Sequence, residues 1–142
     1  MYQGLEPQPT TRALRAACWR KTDTVKKRSM TPEEWKLAME RDIATDNISG
    51  IIDGVFAITE YGDDPDYEEA LCLRLSEHSN ADVRAAAILG FGYIARVHRR
   101  LKNPRIKEIV NKGLKSSHDL ERVHSESARD DIEIYLGWSF KE

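Results

Sequence analysis

The stretch "NADVRAAAILGFGYIA", residues 80–95, decides the fold of this chain. Asn80 or Asp82 can cap the start of a helix, because a short polar side chain accepts a hydrogen bond from a free backbone N–H. Alanines and two glycines follow, and each glycine costs a helix interior about 1 kcal/mol relative to alanine. Because glycine destabilises a helix, its presence here indicates that small residues are needed to let other helices approach closely. The stretch therefore predicts the inner helix of a stacked helical repeat.

The rest of the chain after Met30 also reads as helices. Apolar residues recur at three- and four-residue steps, and no run alternates as a strand would. Thr31-Pro32 and Asp64-Pro65 are typical helix starts. Asp46 is expected to cap the second helix, and Gly62 to end it. We predict helices over residues 32–44, 46–62, 64–78, 80–101, 103–116 and 119–138.

Each predicted helix carries an apolar stripe that we expect to be buried. The five stripes flanking the opening stretch, in chain order, are Trp35, Leu37, Ala38 and Met39; Ile48, Ile51, Ile52, Val55 and Ile58 or Thr59; Tyr67, Ala70, Leu71 and Leu75 or a near register; Ile106, Ile109, Val110 and Leu114; and Leu120, Val123, Ile134 and Trp138.

The helices recur with a period. Pro65 and Pro104 are 39 residues apart, and one extra residue in the following turn aligns Val83 with Val123 and Ile94 with Ile134. Paired-helix repeats are roughly 34 to 47 residues long, and about three are needed for a stable stack. We therefore predict an all-α fold, a short α-solenoid of about three antiparallel helical hairpins.

The opening stretch resembles the second helix of a HEAT repeat, in particular the short variant of phycobilisome lyase-like proteins. The matching residues are Asp82, Val83, Arg84, Ala86, Ala87, Leu89, Gly90, Ile94 and Ala95. The resemblance is best over residues 65–101 and weaker over 104–138, and residues 31–62 match by helix count alone. It implies a scaffold or binding surface rather than a catalyst, since HEAT-like proteins seldom do chemistry.

Charge divides the chain into two parts. The formal net charge is −2, but residues 1–30 hold seven basic and two acidic residues, so residues 31–142 carry a net charge of −7. We expect residues 1–30 to be a basic extension, disordered or partly helical near residues 11–20, and residues 31–142 to be the repeat domain. One hypothesis is that Met30 is the biological start, which mass spectrometry of the native N-terminus would test.

Several classes of protein find no support in the sequence. We expect neither a secretory signal nor a membrane span, and free thiols at Cys18 and Cys72, so the expected location is the cytoplasm. The sequence contains no nucleophile-elbow motif, no glycine-rich phosphate-binding loop and no nucleophile paired with a histidine, so nothing in it predicts an enzyme. The HEAT-like deoxyhypusine hydroxylases bind iron through His-Glu dipeptides, and this chain contains none. We therefore expect no cofactor and no metal.

Acidic residues of the last helix form a narrow stripe. At about 100° per residue they share one side of the helix. The stripe, called here the acidic strip, consists of Asp119, Glu126, Asp130 and Glu133. One interpretation is a solvated flank balanced by Arg122 and Arg129. The other is a docking surface for a basic protein.

Basic residues cluster where the fourth helix meets the fifth. The cluster consists of Arg96, Arg99, Arg100, Lys102, Arg105 and Lys107, together with His98. Cations at a helix C-terminus stabilise it, which is the simpler interpretation. The alternative is phosphate binding, as in the HEAT-like DNA glycosylases that grip a duplex in a basic concave face. The acidic body makes nucleic acid the less favoured partner.

The sequence thus favours a noncatalytic protein-binding module. The most specific hypothesis is a small bacterial immunity protein, whose acidic surface neutralises a basic toxin domain. The alternatives are a nucleic-acid-binding or DNA-repair protein that uses the basic cluster, and an accessory or chaperone-like scaffold. The aromatic residues Trp35, Tyr61, Tyr135, Trp138 and Phe140 are candidate interface anchors, but we expect them to close the ends of the stack.

Overall fold

The structure is a computed structural model that describes residues 30–140. This part of the chain is all-helical, with no strand. The helices span Pro32–Ala44 (α1), Ile48–Tyr61 (α2), Pro65–Leu75 (α3), Ala81–His98 (α4), Arg105–Leu114 (α5) and Asp119–Leu136 (α6). The all-α prediction is confirmed for these residues. The short helix expected near residues 11–20, and Cys18, lie outside the described residues.

Helix ends follow the local sequence. The Asn80 side chain accepts hydrogen bonds from the N–H groups of Asp82 and Val83, at 2.8 and 3.1 Å. Asn47, rather than the predicted Asp46, caps α2. Helix α4 ends at His98, earlier than predicted, because Arg99 adopts a left-handed backbone with φ 57°. Helix α6 likewise ends at Leu136, where Gly137 turns left-handed with φ 71°.

Each odd-numbered helix packs on the helix that follows it, and the even-numbered helices also contact one another in sequence. Helix α1 packs on α2, α3 on α4, and α5 on α6. Helix α2 also contacts α4, and the contact of α4 with α6 is the most extensive between any two helices of residues 30–140. Helix α4 is thus the central element, with most of its residues from Val83 to Ala95 buried.

Glycines on α4 allow this close packing. A β-carbon built at Gly92 would lie 3.1 Å from the Cα of Ala128 in α6, so the α6 backbone itself occupies the space. One built at Gly90 would lie 2.7 Å from Cys72 Sγ in α3. Glycine favours close approach at both positions, because a β-carbon would press on the α6 backbone at residue 92 and on the Cys72 thiol at residue 90. The interpretation of the glycines as close-approach sites is confirmed.

The predicted stripes of α1 and α3 are only partly correct. Met39, Leu71 and Leu75 are buried, whereas Leu37 is 71% exposed and Ala70 is also exposed. Two carboxylates of α3, Glu68 and Glu69, are buried instead. Polar groups of neighbouring segments contact these two carboxylates and allow them to be buried in place of the predicted apolar residues. The predicted stripes of α2 and α5 are partly buried (Ile48, Ile52, Ile109 and Leu114) or fully buried (Ile51, Val55, Ile58, Thr59, Ile106 and Val110).

The predicted buried face of α6 is wrong at Val123 and Ile134, whereas Trp138 is partly buried against the core. Val123 and Ile134 are 46% and 72% exposed. The buried residues of α6 are instead Glu121, His124, Ser125, Ala128 and Ile132. Equivalent buried positions of α4 and α6 are therefore 38 residues apart, pairing 83 with 121, 90 with 128 and 94 with 132. Three buried polar residues, Glu121, His124 and Ser125, caused the error, because they interrupt the apolar pattern on the side of α6 that faces α4 and α5.

Candidate protein-docking face

All four residues of the acidic strip are exposed on α6. The residues that α6 turns towards its neighbours lie on its other side. His124 Nδ1 is 3.2 Å from the carbonyl oxygen of Ala85, and Ala128 packs on Gly92 of α4. Ser125 contacts Gly113 of α5. The strip therefore points away from both helices on which α6 packs.

Two apolar side chains lie beside the strip. Val123 and Ile134 lie roughly 20° and 40° around the helix axis from Asp130. Their exposure leaves a face about four turns long that carries two branched aliphatic groups and four carboxylates. Apolar surface with a polar rim is a feature of protein-binding sites. We call the strip together with Val123 and Ile134 the α6 face.

Ion pairing within the α6 face is limited. Asp119 pairs with Arg122 at 2.8 Å, and Asp130 with the adjacent Arg129 at 3.3 Å. Both pairs are solvent-exposed, so each contributes about 0 to 1 kcal/mol and exchanges readily. Within residues 30–140, Glu126 and Glu133 make no ion pair. The face thus presents more negative than positive charge.

Three residues of the basic cluster form ion pairs with nearby acidic residues of the same chain. Arg100 and Lys102 both pair with Asp66 of α3, at 2.6 and 3.0 Å. Arg105 pairs with Glu77 at 2.9 Å. Acids of α3 and its following turn thus offset these positive charges.

The remaining arginines of the cluster stack on aromatic rings. Arg96 lies 4.8 Å from the centre of the Tyr93 ring, and Arg99 lies 4.6 Å from that of Tyr135. Lys107 is in the first turn of α5. The structure therefore does not gather the six cations into one uncompensated patch of the kind that binds phosphate backbones.

Two adjacent carboxylates of α3 tie the surrounding turns together. Glu69 accepts hydrogen bonds from the backbone N–H groups of Lys102 and Asn103, with the shortest at 2.7 Å. Glu68 accepts one from the N–H of Asp64 at 3.1 Å and lies 3.2 Å from His98 Nε2. Sequence reasoning missed both residues, since charged side chains are rarely buried unless they have such partners.

Burial also changes the protonation of Glu68. Removal from water raises the pKa of Glu68 to about 7, with the nearby charges of Asp64 and Asp63 acting in the same direction. The hydrogen bond from the Asp64 N–H opposes this rise in pKa but does not overcome it. A carboxyl with a raised folded-state pKa favours folding below its unfolded pKa, and this contribution is lost as the pH rises through the folded value.

Glu68→Gln should therefore change how stability depends on pH. Glutamine keeps an acceptor for the Asp64 N–H but carries no charge. We expect the two proteins to differ little near pH 4.5, and the variant to gain about 3 kcal/mol relative to wild type by pH 8. Urea unfolding of both proteins across this range measures the gain. A stability difference that stays constant with pH would contradict the assignment.

The described residues offer little for small-molecule chemistry. Between residues 30 and 140, no three His, Cys, Asp or Glu side chains are arranged to hold a metal ion. Cys72 is a free, fully buried thiol whose pKa is raised by that burial. A cavity of about 20 Å³ beside Trp35 and Tyr67 has room for roughly one water molecule.

Comparisons with known proteins give no family for this chain. No protein-family model matches it, and neither a curated protein nor a solved structure shows significant similarity. None of the helices in the described range combines the length and apolarity needed to cross a bilayer.

Proposed function

We propose that the chain is a noncatalytic module that binds a basic protein through the α6 face. The observation that carries the proposal is the exposure of all four strip carboxylates beside two exposed aliphatic side chains. Apolar contact at the centre of an interface stabilises a complex, while surrounding charge selects the partner and speeds encounter. A cationic partner with an apolar centre complements both parts of this face.

We further propose that the six helices form a short α-solenoid of three antiparallel hairpins. The pairing of each odd helix with its successor, and the contacts of α2 with α4 and of α4 with α6, support this arrangement. The recurrence of buried positions 38 residues apart between α4 and α6 also supports it. In such a stack the α6 face is the end surface on which a further repeat would pack, which explains its exposed aliphatic groups.

The specific form of the proposal is an immunity protein that neutralises a toxin domain. A nuclease toxin is basic where it contacts phosphate, so an acidic, partly apolar surface could cover its active site. The net charge of −7 over residues 31–142 agrees with such a partner. A gene for a basic toxin domain next to this one would identify the partner to be used in binding measurements.

Reversing the charge of the acidic strip tests whether the α6 face binds the partner. The variant Asp119→Lys, Glu126→Lys, Asp130→Lys and Glu133→Lys should bind the toxin-domain candidate at least about a hundredfold more weakly, since each desolvated charge pair contributes 1 kcal/mol or more. Ile134→Ser should weaken it about tenfold through lost apolar contact. Calorimetry gives the affinities, and circular dichroism checks that helicity is unchanged.

A matched control separates the α6 face from general electrostatics. Glu33→Lys and Glu108→Lys change the charge at exposed positions of α1 and α5. They should affect affinity much less than the pair Glu126→Lys and Glu133→Lys, which makes the same change in net charge. Equal effects of the two pairs, or wild-type affinity in the strip variant, would reject the α6 face as the docking surface.

A further inference from the structure

Arg84 of α4 joins its own helix to α6. Its Nη1 donates to the carbonyl oxygen of His78, six residues earlier, at 3.0 Å. Its Nε and Nη2 donate to the two carboxylate oxygens of Glu121, at 3.0 and 3.3 Å. The carbonyl holds the guanidinium in place, and the paired N–H groups match the geometry of a carboxylate. Helix α4 thus receives α6 through an arginine anchored on the turn that precedes α4.

Arg122 of α6 repeats the first part of this arrangement. It lies 38 residues after Arg84, the interval that separates the buried positions of the two helices. Its Nη1 donates to the carbonyl oxygen of Ser116, again six residues earlier, at 3.1 Å. Its Nη2 donates to Asp119 at 2.8 Å, as the same nitrogen of Arg84 donates to Glu121. The Asp119 side chain is 89% exposed, and such a pair exchanges readily with an acidic group from outside.

The interval of 38 residues also relates the packing side of α4 to the α6 face. Helix α4 contacts α5 or α6 at Ala85, Ile88 and Gly92. The residues 38 positions later are exposed members of the α6 face, namely Val123, Glu126 and Asp130. Within residues 30–140, no helix covers on α6 the side that α5 and α6 cover on α4.

The contacts between α4 and α6 run in the same order along both helices. They join Arg84 to Glu121, Ala85 to His124 and Gly92 to Ala128. The two helices are therefore parallel, because an antiparallel pair would reverse this order. A helix that packed on the α6 face in the same way would begin beside Arg122. An acidic residue in the first turn of that helix is favoured by its own helix dipole as well as by Arg122.

The α6 face differs from the packing side of α4 in the size and charge of its residues. Asp130 takes the place of Gly92, and Glu133 that of Ala95. An incoming helix therefore cannot approach α6 as closely as α6 approaches α4. Lysine and arginine bridge a wider gap, because they carry their charge at the end of a long apolar stem. The helix that fits this face has basic residues along its length and one acidic residue in its first turn.

We propose that the α6 face binds a partner helix that runs parallel to α6, with basic residues opposite the acidic strip and one carboxylate bound by Arg122. The inference rests on the proposed function, since it takes the α6 face as the docking surface. It adds the secondary structure of the bound segment, its direction and its acidic residue. Arg122 is then a specificity-determining residue, because it repels a segment that is basic throughout.

A synthetic helix of 18 residues, the length of α6, tests the proposal on the full 142-residue chain. The alanine-based peptide carries a glutamate in its first turn, and lysines and a leucine on the same side of the following turns. We expect it to bind at least about fivefold more tightly than the same peptide with glutamine in place of the glutamate, because Arg122 pairs with the carboxylate. Fluorescence anisotropy of the labelled peptides measures both dissociation constants.

Variants of Arg122 test the origin of this preference. Arg122→Gln should abolish it, since glutamine offers no cation to the carboxylate. Arg122→Glu should reverse it in favour of a peptide with lysine in the first turn. Arg129→Gln is the matched control, because it removes the same charge from an arginine of α6 with similar side-chain exposure, 36% against 39%. The control should keep the preference for the glutamate peptide, and circular dichroism checks that every variant retains its helicity.

The outcomes separate this inference from the proposed function. Glu126→Lys with Glu133→Lys should weaken binding of the glutamate peptide at least about tenfold, which places the peptide on the α6 face. Equal affinity for the glutamate and glutamine peptides, together with this loss, would overturn the role of Arg122 and leave the α6 face as a docking surface for a basic protein. Binding of neither peptide, or equal binding of a peptide with the reversed sequence, would overturn the parallel partner helix. The measurement with the toxin-domain candidate decides the proposed function independently.

Discussion

Gly92→Val should destabilise the protein by about 3 kcal/mol, a large effect for one residue. The new side chain would meet the backbone of Ala128, 3.1 Å from the position of its β-carbon, and the side chain of Asp131. A backbone atom cannot rotate away as a side chain does, so α4 and α6 must separate. That separation weakens the most extensive helix contact among residues 30–140. Urea unfolding at pH 7 measures the loss.

Ala70→Val is the matched control for this prediction. It also places a β-branched residue within a helix, but at an exposed position of α3. Only the helix propensity changes there, so the cost should stay below about 1 kcal/mol. Valine has a higher helix propensity than glycine, so a loss at residue 92 no larger than the loss at residue 70 would contradict packing against Ala128 as its cause.

Arg84→Ala should cost about 3 kcal/mol, because it leaves a nearly buried carboxylate without its main partner. Arg84 donates to both oxygens of Glu121, at 3.0 and 3.3 Å, and also to the carbonyl oxygens of His78 and Ser79. Burial disfavours ionisation of Glu121. The hydrogen bonds from Arg84 and Ser116, with the Arg84 charge, outweigh that penalty and lower the pKa of Glu121.

The lowered pKa gives this pair a definite pH dependence. A depressed folded-state pKa contributes stability above the unfolded pKa, and this stability disappears as the pH falls through the folded value. A double-mutant cycle of Arg84→Ala with Glu121→Gln should therefore show coupling at pH 7 that declines in acid. Arg129→Ala, which removes an exposed pair with Asp130, should cost less than about 1 kcal/mol. Equal losses for the two arginine variants would contradict the buried role of Arg84.

Local sequence signals predicted the helices and several of their caps. Thr31, Asn80 and Pro65 begin helices because their preferences act on the backbone within one turn, without tertiary contacts. The close approach marked by Gly90 and Gly92 was also predictable, since glycine in a helix interior is costly unless packing requires it. Exposure of the acidic strip followed from four carboxylates on one side of α6.

Tertiary structure decided which polar residues are buried, and therefore which apolar residues are not. Glu121 and His124 turn towards α4 because Arg84 and the Ala85 carbonyl lie opposite them, 37 and 39 residues earlier in the chain. Glu68 is buried beside His98 Nε2, and Glu69 is buried because backbone N–H groups of the α4–α5 turn donate to it. By itself the sequence determined an all-helical chain with one tightly packed central helix. The faces of α3 and α6 depend on long-range hydrogen bonds, whose energy outweighs the local apolar pattern and leaves Val123 and Ile134 exposed.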